Sequence, residues 1–427
     1  MTGSNTNEAS FTSAERGRSL GGQERLLYLY SKRHHRHFCL VGKLSGNISR
    51  HDLAIALRKV QARHAKLSYS VHEREEGPHF VYSPKDITVR AHSLNVGSTW
   101  HEIVEAELAT PFDASQAPLV RITALREPLN QRELTLVLTF HHALADGLSA
   151  VAFLDDLVAA MNSAELPPVL MRPSVERLLE LEAPRDPSPQ EINVEAAPLV
   201  LEEVGREPLW RSFEGDTPKV GSVECTANFT AGVVARCKRE LATVQGALAA
   251  ALSAVNSARH ECDDYAVLSP ISVRHFAGID ASDIGVFLTV GLVRLPMKSC
   301  VPFWERARSF GRELQALRSK EAVALSAHKL EKALPPLSTV DHACGLIGSM
   351  RYDAVISNLG VLQTRASSEP VQLQAIWGPM VLGRIKNERM IGASTYGTTL
   401  RLTESRPAHV AGCLPQLIGI LSEECDV

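Results

Sequence analysis

The sequence predicts an α/β (α+β) protein of more than one domain, on three observations. Short apolar runs with strand character alternate with segments whose apolar residues recur at helical spacing. The 427 residues exceed the roughly 100–200 of one ordinary domain, so two or three cores are expected. A proline-punctuated acidic stretch also separates two regions of this alternating texture.

Taken in order, residues 38–44 read as a strand. Residues 50–64 read as a helix, because Leu53, Leu57 and Val60 keep helical spacing after a turn cluster in which Ser49 and its neighbours supply N-caps. Strands at 67–71 and 79–82 flank a charged turn, and a short helix over 100–108 closes before Pro111. Strands at 118–125 and 134–140 lead into the run His141-His142-Ala143-Leu144-Ala145-Asp146-Gly147. A helix starts there, and Leu148, Val151, Leu154, Leu157, Val158 and Met161 carry it toward the Pro167-Pro168 break. Beyond the proline-rich stretch, residues 222–230 read as a strand, 234–241 and 244–260 as helices, and 266–273 as a buried strand. The expected organisation is an amino-terminal domain over residues 1–165 bearing the histidine run, a linker or crossover over 166–219, and a carboxy-terminal domain over 220–427.

Composition bounds the chemistry. Lys+Arg (45) nearly balance Asp+Glu (48) for a net charge of -3, so no bulk field favours nucleic acid or an anionic membrane. Eight scattered cysteines form no CxxC pair, which points to a reduced compartment and away from a zinc or redox site. The polar amino terminus lacks the apolar core of a signal peptide, its first dozen residues are expected to be disordered, and no run reaches a membrane span of ~20 residues. A soluble cytoplasmic protein is expected.

The histidine run is the feature with chemical content. A histidine at a strand end can be fixed through one ring nitrogen while the other takes a proton near neutral pH. Asp146 is placed to pair with a basic group or to cap the following helix, and Gly147 lets a substrate or a second backbone approach closely. The plainer reading, packed histidines and an N-cap, stands beside this one on the residues alone.

HHALADG resembles the HHxxxDG motif of the chloramphenicol-acetyltransferase-like superfamily, which includes nonribosomal-peptide condensation domains, BAHD acyltransferases and polyketide-associated acyltransferases. Further blocks follow in that superfamily's order: LVGKLSGNISRHDLAIALRKVQARHAKL over 40–67, APLVRITAL over 117–125, SPISVRHFAGID with DIGVFLTV over 269–290, and ISNLG over 356–360. The resemblance covers about residues 20–420. It implies two similar domains forming a V around a central tunnel with the motif at its middle, and a monomer.

It also implies roles. His142 would be the general base that deprotonates an acceptor hydroxyl or amine and returns the proton to the departing thiol. His141 would be the structural histidine, Asp146 the loop-organising aspartate, Arg274 its partner, and Gly147 the glycine that leaves room for substrate. Asn358 is a candidate oxyanion donor, with a turn role before Gly360 as the alternative. No cofactor is held permanently and no metal is expected; acyl-CoA or a phosphopantetheinyl acyl carrier protein would be the co-substrate. The DFGWG sequence of BAHD enzymes is absent, which argues against a plant-type alcohol acyltransferase.

The expected function is therefore acyl transfer from a thioester to a hydroxyl of a lipid, polyketide or similar natural product. An amide-forming condensation enzyme shares every named residue, and a catalytically silent carrier-protein or metabolite-binding scaffold is the alternative from another class. The basic run Lys32 to His37 reads as a solvated strand edge or, alternatively, as a phosphopantetheine or carrier-protein contact. Ser149 reads as a first-turn residue with no nucleophile elbow around it, and Tyr396 as core or cavity lining.

Overall fold

A computed structural model describes residues 17–93, 99–127, 130–182, 217–257, 264–296, 301–363, 368–385 and 388–427. The expected disorder of the first dozen residues, most of the proline-rich stretch, and Cys262 and Cys300 lie outside the described residues; the other six cysteines are buried free thiols.

In chain order the first elements are α1 (Gly22–His34), β1 (His37–Ser45), α2 (Arg50–Arg63), β2 (Tyr69–Arg74), β3 (Gly77–Tyr82), β4 (Val89–Ser93), α3 (Trp100–Ala109), β5 (Val120–Glu127), β6 (Asn130–His141), α4 (Gly147–Met161) and α5 (Val175–Glu182). There follow β7 (Pro218–Glu224), α6 (Ala227–Arg239), α7 (Val244–Ser257), β8 (Asp264–Ser272), β9 (Leu288–Pro296), α8 (Phe303–Leu317), α9 (Lys320–Ala333) and α10 (Val340–Ser349). The last elements are β10 (Ala354–Leu362), β11 (Gln372–Val381), β12 (Arg389–Tyr396), β13 (Thr399–Pro407) and α11 (Leu414–Cys425).

The helix expected over 50–64 is α2, and its start shows why. Ser49 Oγ accepts from the Asp52 N–H while the Asp52 carboxylate accepts from the Ser49 N–H, a reciprocal cap that satisfies two otherwise orphan donors. Its buried face of Leu53, Ala56, Leu57 and Val60 packs on α4, and each large aliphatic side chain so buried is worth about 1.5–3 kcal/mol.

Two sheets carry the site. One runs β11-β1-β6-β5-β4 and the other β7-β13-β12-β10-β8-β9. In the first, β1 and β6 are antiparallel with His37 opposite His141, so the histidine run begins where β6 leaves the sheet. The outer neighbour of β1 is β11, antiparallel with Phe38 opposite Val381; a strand from far along the chain completes the sheet that carries the motif. One hydrophobic core accordingly joins Phe140, Phe153 and Leu138 to Leu268, Val355 and Met390.

Several local expectations are corrected. Residues 222–230 are not one strand: β7 ends at Glu224 and Thr226 caps α6, its hydroxyl accepting from the Phe229 N–H at 3.1 Å. Leu67 lies in a 3-10 turn, and β2 starts only at Tyr69. The stretch expected as a linker or crossover contains α5, which packs on α1 and α9. The basic run is no solvated strand edge. Lys32, Arg33 and His34 form the last turn of α1, where the charges of Lys32 and Arg33 meet the negative end of the helix, and His34, Arg36 and His37 are buried. Lys32 and Arg33 pair with Glu73 and Asp341, each at 2.7 Å.

Candidate active site

β6 delivers His141 and His142, and α4 begins five residues later at Gly147. Between them Asp146 is the N-cap of α4, accepting from the Ser149 N–H at 2.8 Å, so the capping role weighed from sequence is realised. The same carboxylate does more. Its Oδ1 also accepts from Ser149 Oγ at 2.8 Å and from Arg274 Nη2 at 2.9 Å, and its Oδ2 accepts from the Phe287 N–H at 2.9 Å. Burial opposes ionisation of Asp146, but the Arg274 guanidinium and the N–H groups of Phe287 and Ser149 outweigh it and hold the carboxyl below its usual range.

Arg274 is itself buried and locked. Its Nη1 donates to the carbonyls of Asp280 and Asp283, its Nη2 also donates to Ser149 Oγ at 2.8 Å, and it stands 4.8 Å over the Phe287 ring. Ser149 is fully buried, bridging Asp146 and the Gly285 carbonyl, a first-turn structural role. The structure thus brings together two segments 128 residues apart in sequence. Gly147 stands at the same junction: a β-carbon there would lie 3.0 Å from Leu359 Cδ2.

The two histidines are held differently. His141 is 2% exposed; its Nδ1 accepts from the Ala143 N–H at 3.2 Å and its ring stands edge-on to Phe112. Burial pushes its pKa down to about 3. His142 is half-buried, packs its ring 4.9 Å from Phe38, and places Nδ1 3.2 Å from the Ala145 carbonyl. A carbonyl only accepts, so Nδ1 carries the proton and Nε2 is the basic nitrogen of the neutral ring. Burial, then the charge of Arg36, push its pKa down to about 4, so at neutral pH the ring is a free base.

His142 lines a cavity of about 580 Å³. Its wall takes Leu26, Leu27, Phe38 and Leu148 from the first half of the chain and Leu330, Ile347, Met350, Leu359 and Pro379 from the second, with Asn358 beside Leu359. Asn358 sits where β10 loses register with β12, and its side-chain oxygen accepts from the Gly360 N–H at 2.8 Å with Gly360 at φ +75°. The turn role is therefore present on a residue that also lines the cavity. Tyr396 packs in the core.

Of two further lining residues, Arg36 was read from sequence only as part of the basic run, and Glu176 escaped the reading. Arg36 is buried in the cavity wall next to His142. Glu176, at the start of α5, accepts from the Gln23 N–H at 2.7 Å, and burial raises its pKa to about 7. Among the described residues, no group of three or more His, Cys, Asp or Glu could hold a metal ion, and no helix is long and apolar enough to cross a membrane.

Comparison with known proteins bears on this geometry. The Condensation domain family matches residues 22–171, a segment that includes the histidine run. The chain is 32% identical over 143 residues to the "Hybrid PKS-NRPS synthetase traA" of Penicillium crustosum, covering 32% of this chain and 4% of that protein. It is 45% identical over 56 residues to the "AMB antimetabolite synthetase AmbE" of Pseudomonas aeruginosa, covering 13% and 2%. The chain thus spans only a small part of the length of these curated relatives.

Among solved structures, the first condensation domain of the CDA synthetase superposes with a TM-score of 0.73 at 15% identity, covering 97% of each chain. Polyketide synthase associated protein 5 from Mycobacterium tuberculosis gives 0.66 at 14%, again over 97% of each. An epimerization domain of tyrocidine synthetase gives 0.63, so the fold alone does not fix the reaction. The resemblance read from the motif holds: residues 22–171 are a condensation-domain match, and the chain folds in two lobes as condensation domains do.

Proposed function

We propose that the protein is a thioester-dependent acyltransferase of the condensation type, with His142 as general base. The observation that carries this reading is the Nδ1 contact to the Ala145 carbonyl, which leaves Nε2 as the free base on a ring lining the cavity. In the proposed step the acceptor's O–H or N–H gives its proton to Nε2 as its heteroatom attacks the thioester carbonyl. The tetrahedral intermediate then collapses, the C–S bond breaks, and the imidazolium returns the proton to the departing sulfur. Asn358 is the proposed oxyanion donor, its side-chain oxygen being engaged by Gly360 and its amide N–H groups left to serve. Asp146, Arg274 and His141 are proposed to organise the loop without touching substrate.

The donor is proposed to be an acyl thioester on a phosphopantetheinyl carrier protein or on coenzyme A. Lys329 and Lys332, which line the cavity from α9, are the proposed cations for its phosphate. The expected hydroxyl acceptor is retained, and amide formation is the second reading, favoured by the condensation-domain match. Nothing in the comparisons favours the ester product. Residues 1–165 and 220–427 are proposed as the two lobes and 166–219 as the crossover, with β11 lent by the second lobe to the sheet of the first.

The test is thiol release from an acyl thioester in the presence of a panel of alcohols and amines. His142→Ala should lower turnover by about 100-fold or more with an unchanged unfolding midpoint. An unchanged rate would eliminate His142 as the base, and no acceptor-dependent thiol release by the parent protein would favour the silent-scaffold reading.

A further inference from the structure

The register of the second sheet lays out one wall of the His142 cavity in rows. β8 pairs antiparallel with β9 and parallel with β10, and β10 pairs parallel with β12. Leu268 lies opposite Val355 and Val355 opposite Met390, and all three line the cavity. Two residues further along β8 and β10 the lining residues are Pro270 and Ser357, with Val290 opposite Pro270. Two further again they are Ser272 and Leu359, with Leu288 opposite Ser272. Alternate residues of a strand share a face, so these side chains stand in consecutive rows on one face of the sheet.

The row of Ser272 and Leu359 borders the motif. Phe287, next to Leu288, donates its N–H to Asp146, and Leu359 Cδ2 stands 3.0 Å from where a β-carbon on Gly147 would lie. The row of Leu268, Val355 and Met390 is the far end: a strand advances about 3.3 Å per residue, so the path from Leu359 back to Val355 covers about 13 Å. Each of those far residues is 5% exposed or less, and α10, which ends just before β10, adds Ile347 and Met350 to the wall. Hydroxyls on this face belong to the rows nearer the motif, Ser272 and Ser357; the far row is wholly apolar.

The charged groups of the cavity are engaged elsewhere. Asp146 is committed to Arg274. Glu176 accepts from the Gln23 N–H through Oε1 and turns Oε2 against Gly21, 2.3 Å from where a β-carbon there would lie, so its carboxyl faces the start of α1. Lys332 is exposed and Lys329 half-buried, so α9 carries both toward solvent at the rim. Arg36 sets Nη1 over Gly383 beside Tyr352 Oη and Glu388 Oε2, at 2.8, 2.5 and 2.8 Å from the place of a β-carbon at 383. An ammonium in the far row would meet no carboxylate, and a carboxylate there would have to draw Arg36 away from Glu388; an unpaired buried charge is costly.

We propose that this face of the second sheet holds the acyl chain of the donor, and that the donor is an uncharged aliphatic acyl thioester of about ten carbons, its thioester at the motif and its methyl end on Leu268, Val355 and Met390. An extended chain advances about 1.3 Å per carbon, from bonds of about 1.5 Å at tetrahedral angles, so about ten carbons fill the distance between the rows. An aminoacyl donor would instead bring an ammonium to the rows of Ser272 and Ser357, where the lining carboxylates, Asp146 and Glu176, are both occupied. The inference rests on the acyl-transfer reading, which puts the thioester beside His142.

The test measures, by calorimetry on the full chain, the binding of S-alkyl pantetheine thioethers, which lack the carbonyl and cannot react. The pantetheine arm is common to coenzyme A and a carrier protein, so the series serves for either donor. Affinity should rise about fourfold per methylene from about four carbons to about ten and gain nothing beyond. Chains of equal length ending in an ammonium or a carboxylate should bind at least about tenfold more weakly. Val355→Phe should move the limit to shorter chains and Met390→Ala to longer ones, opposite shifts that a general loosening of the fold would not give; Met390→Ala carries the comparison if Val355→Phe does not fold. Affinity independent of chain length, tighter binding of a charged chain end, or a limit unmoved in folded variants overturns the proposal. The two readings fail separately. The predicted length profile together with an unchanged rate in His142→Ala removes the base and leaves the chain site, whereas a flat profile with a lost rate in His142→Ala does the reverse.

Discussion

Replacing Asp146 by asparagine changes one atom, and the surroundings leave that atom nowhere to go. Oδ1 accepts from three donors, Ser149 N–H, Ser149 Oγ and Arg274 Nη2, while Oδ2 accepts from the Phe287 N–H. An amide nitrogen at either position faces a donor with a donor. The milder orientation keeps the oxygen at Oδ1 and sets NH2 against Phe287, leaving a buried N–H unsatisfied at a cost of about 1–3 kcal/mol. Arg274 also loses its counter-charge while staying buried, and breaking such a pair from one side costs about 3–5 kcal/mol. The two penalties overlap, so a net loss of about 3–5 kcal/mol is expected. Urea unfolding followed by tryptophan fluorescence reads it, and the same change made in an Arg274→Met background should cost at least about 2 kcal/mol less if the charge pair is the cause. A loss below about 1 kcal/mol, or an identical loss with and without Arg274, would refute this account of the loop.

Other positions give independent checks. Glu176 sits buried with its pKa raised to about 7, above the value of an unfolded chain, so its ionisation costs stability progressively as pH rises from about 4.5 through 7. Glu176→Gln should therefore gain stability over the parent with pH, by up to about 3 kcal/mol above pH 8 and by almost nothing below pH 4; a difference that does not vary with pH excludes the mechanism. Leu241 lies two residues beyond the end of α6 with φ +51° and is 86% exposed, and the left-handed region costs a side chain about 1–2 kcal/mol. Allowing for the looser unfolded chain of glycine, Leu241→Gly should raise the urea midpoint by the equivalent of about 0.5–1 kcal/mol, and a lowered midpoint would show that the side chain contributes through packing. At Gly392 a β-carbon would lie 2.2 Å from the Pro379 carbonyl oxygen, whereas at Gly147 the nearest atom is the flexible Leu359 Cδ2 at 3.0 Å. Alanine at 392 should accordingly be far more destabilising than alanine at 147 in thermal unfolding; equal losses would contradict the close approach of β11 and β12.

Local signals were legible and long-range ones were not. α2 was readable because its cap and its apolar face lie within one short segment, and the same holds for α4 and the strand that feeds it. α1 was hidden because three consecutive residues in its first turns, Gln23, Glu24 and Arg25, are buried. What permits this lies far away: Arg25 reaches the Leu334 carbonyl and Glu331, more than 300 residues along the chain, and no window of sequence contains both ends. The basic run misled for the same reason. At the site, the histidine run, the aspartate and the arginine could be named from motif order alone. Arg36 and Glu176 could not, since each acquires its meaning only when α10, β12 or α5 is laid against it.

The seating of β11 beside β1 bears on how the chain reaches this state during synthesis. Until residue 381 has left the ribosome, β1 presents a bare row of backbone donors and acceptors, and the strand carrying the histidine run belongs to an unfinished sheet. An exposed strand edge of that kind is a template for pairing with the wrong chain. A fragment ending before β11 is therefore expected to aggregate, whereas the same fragment supplied with a peptide spanning residues 372–381 has the missing neighbour restored.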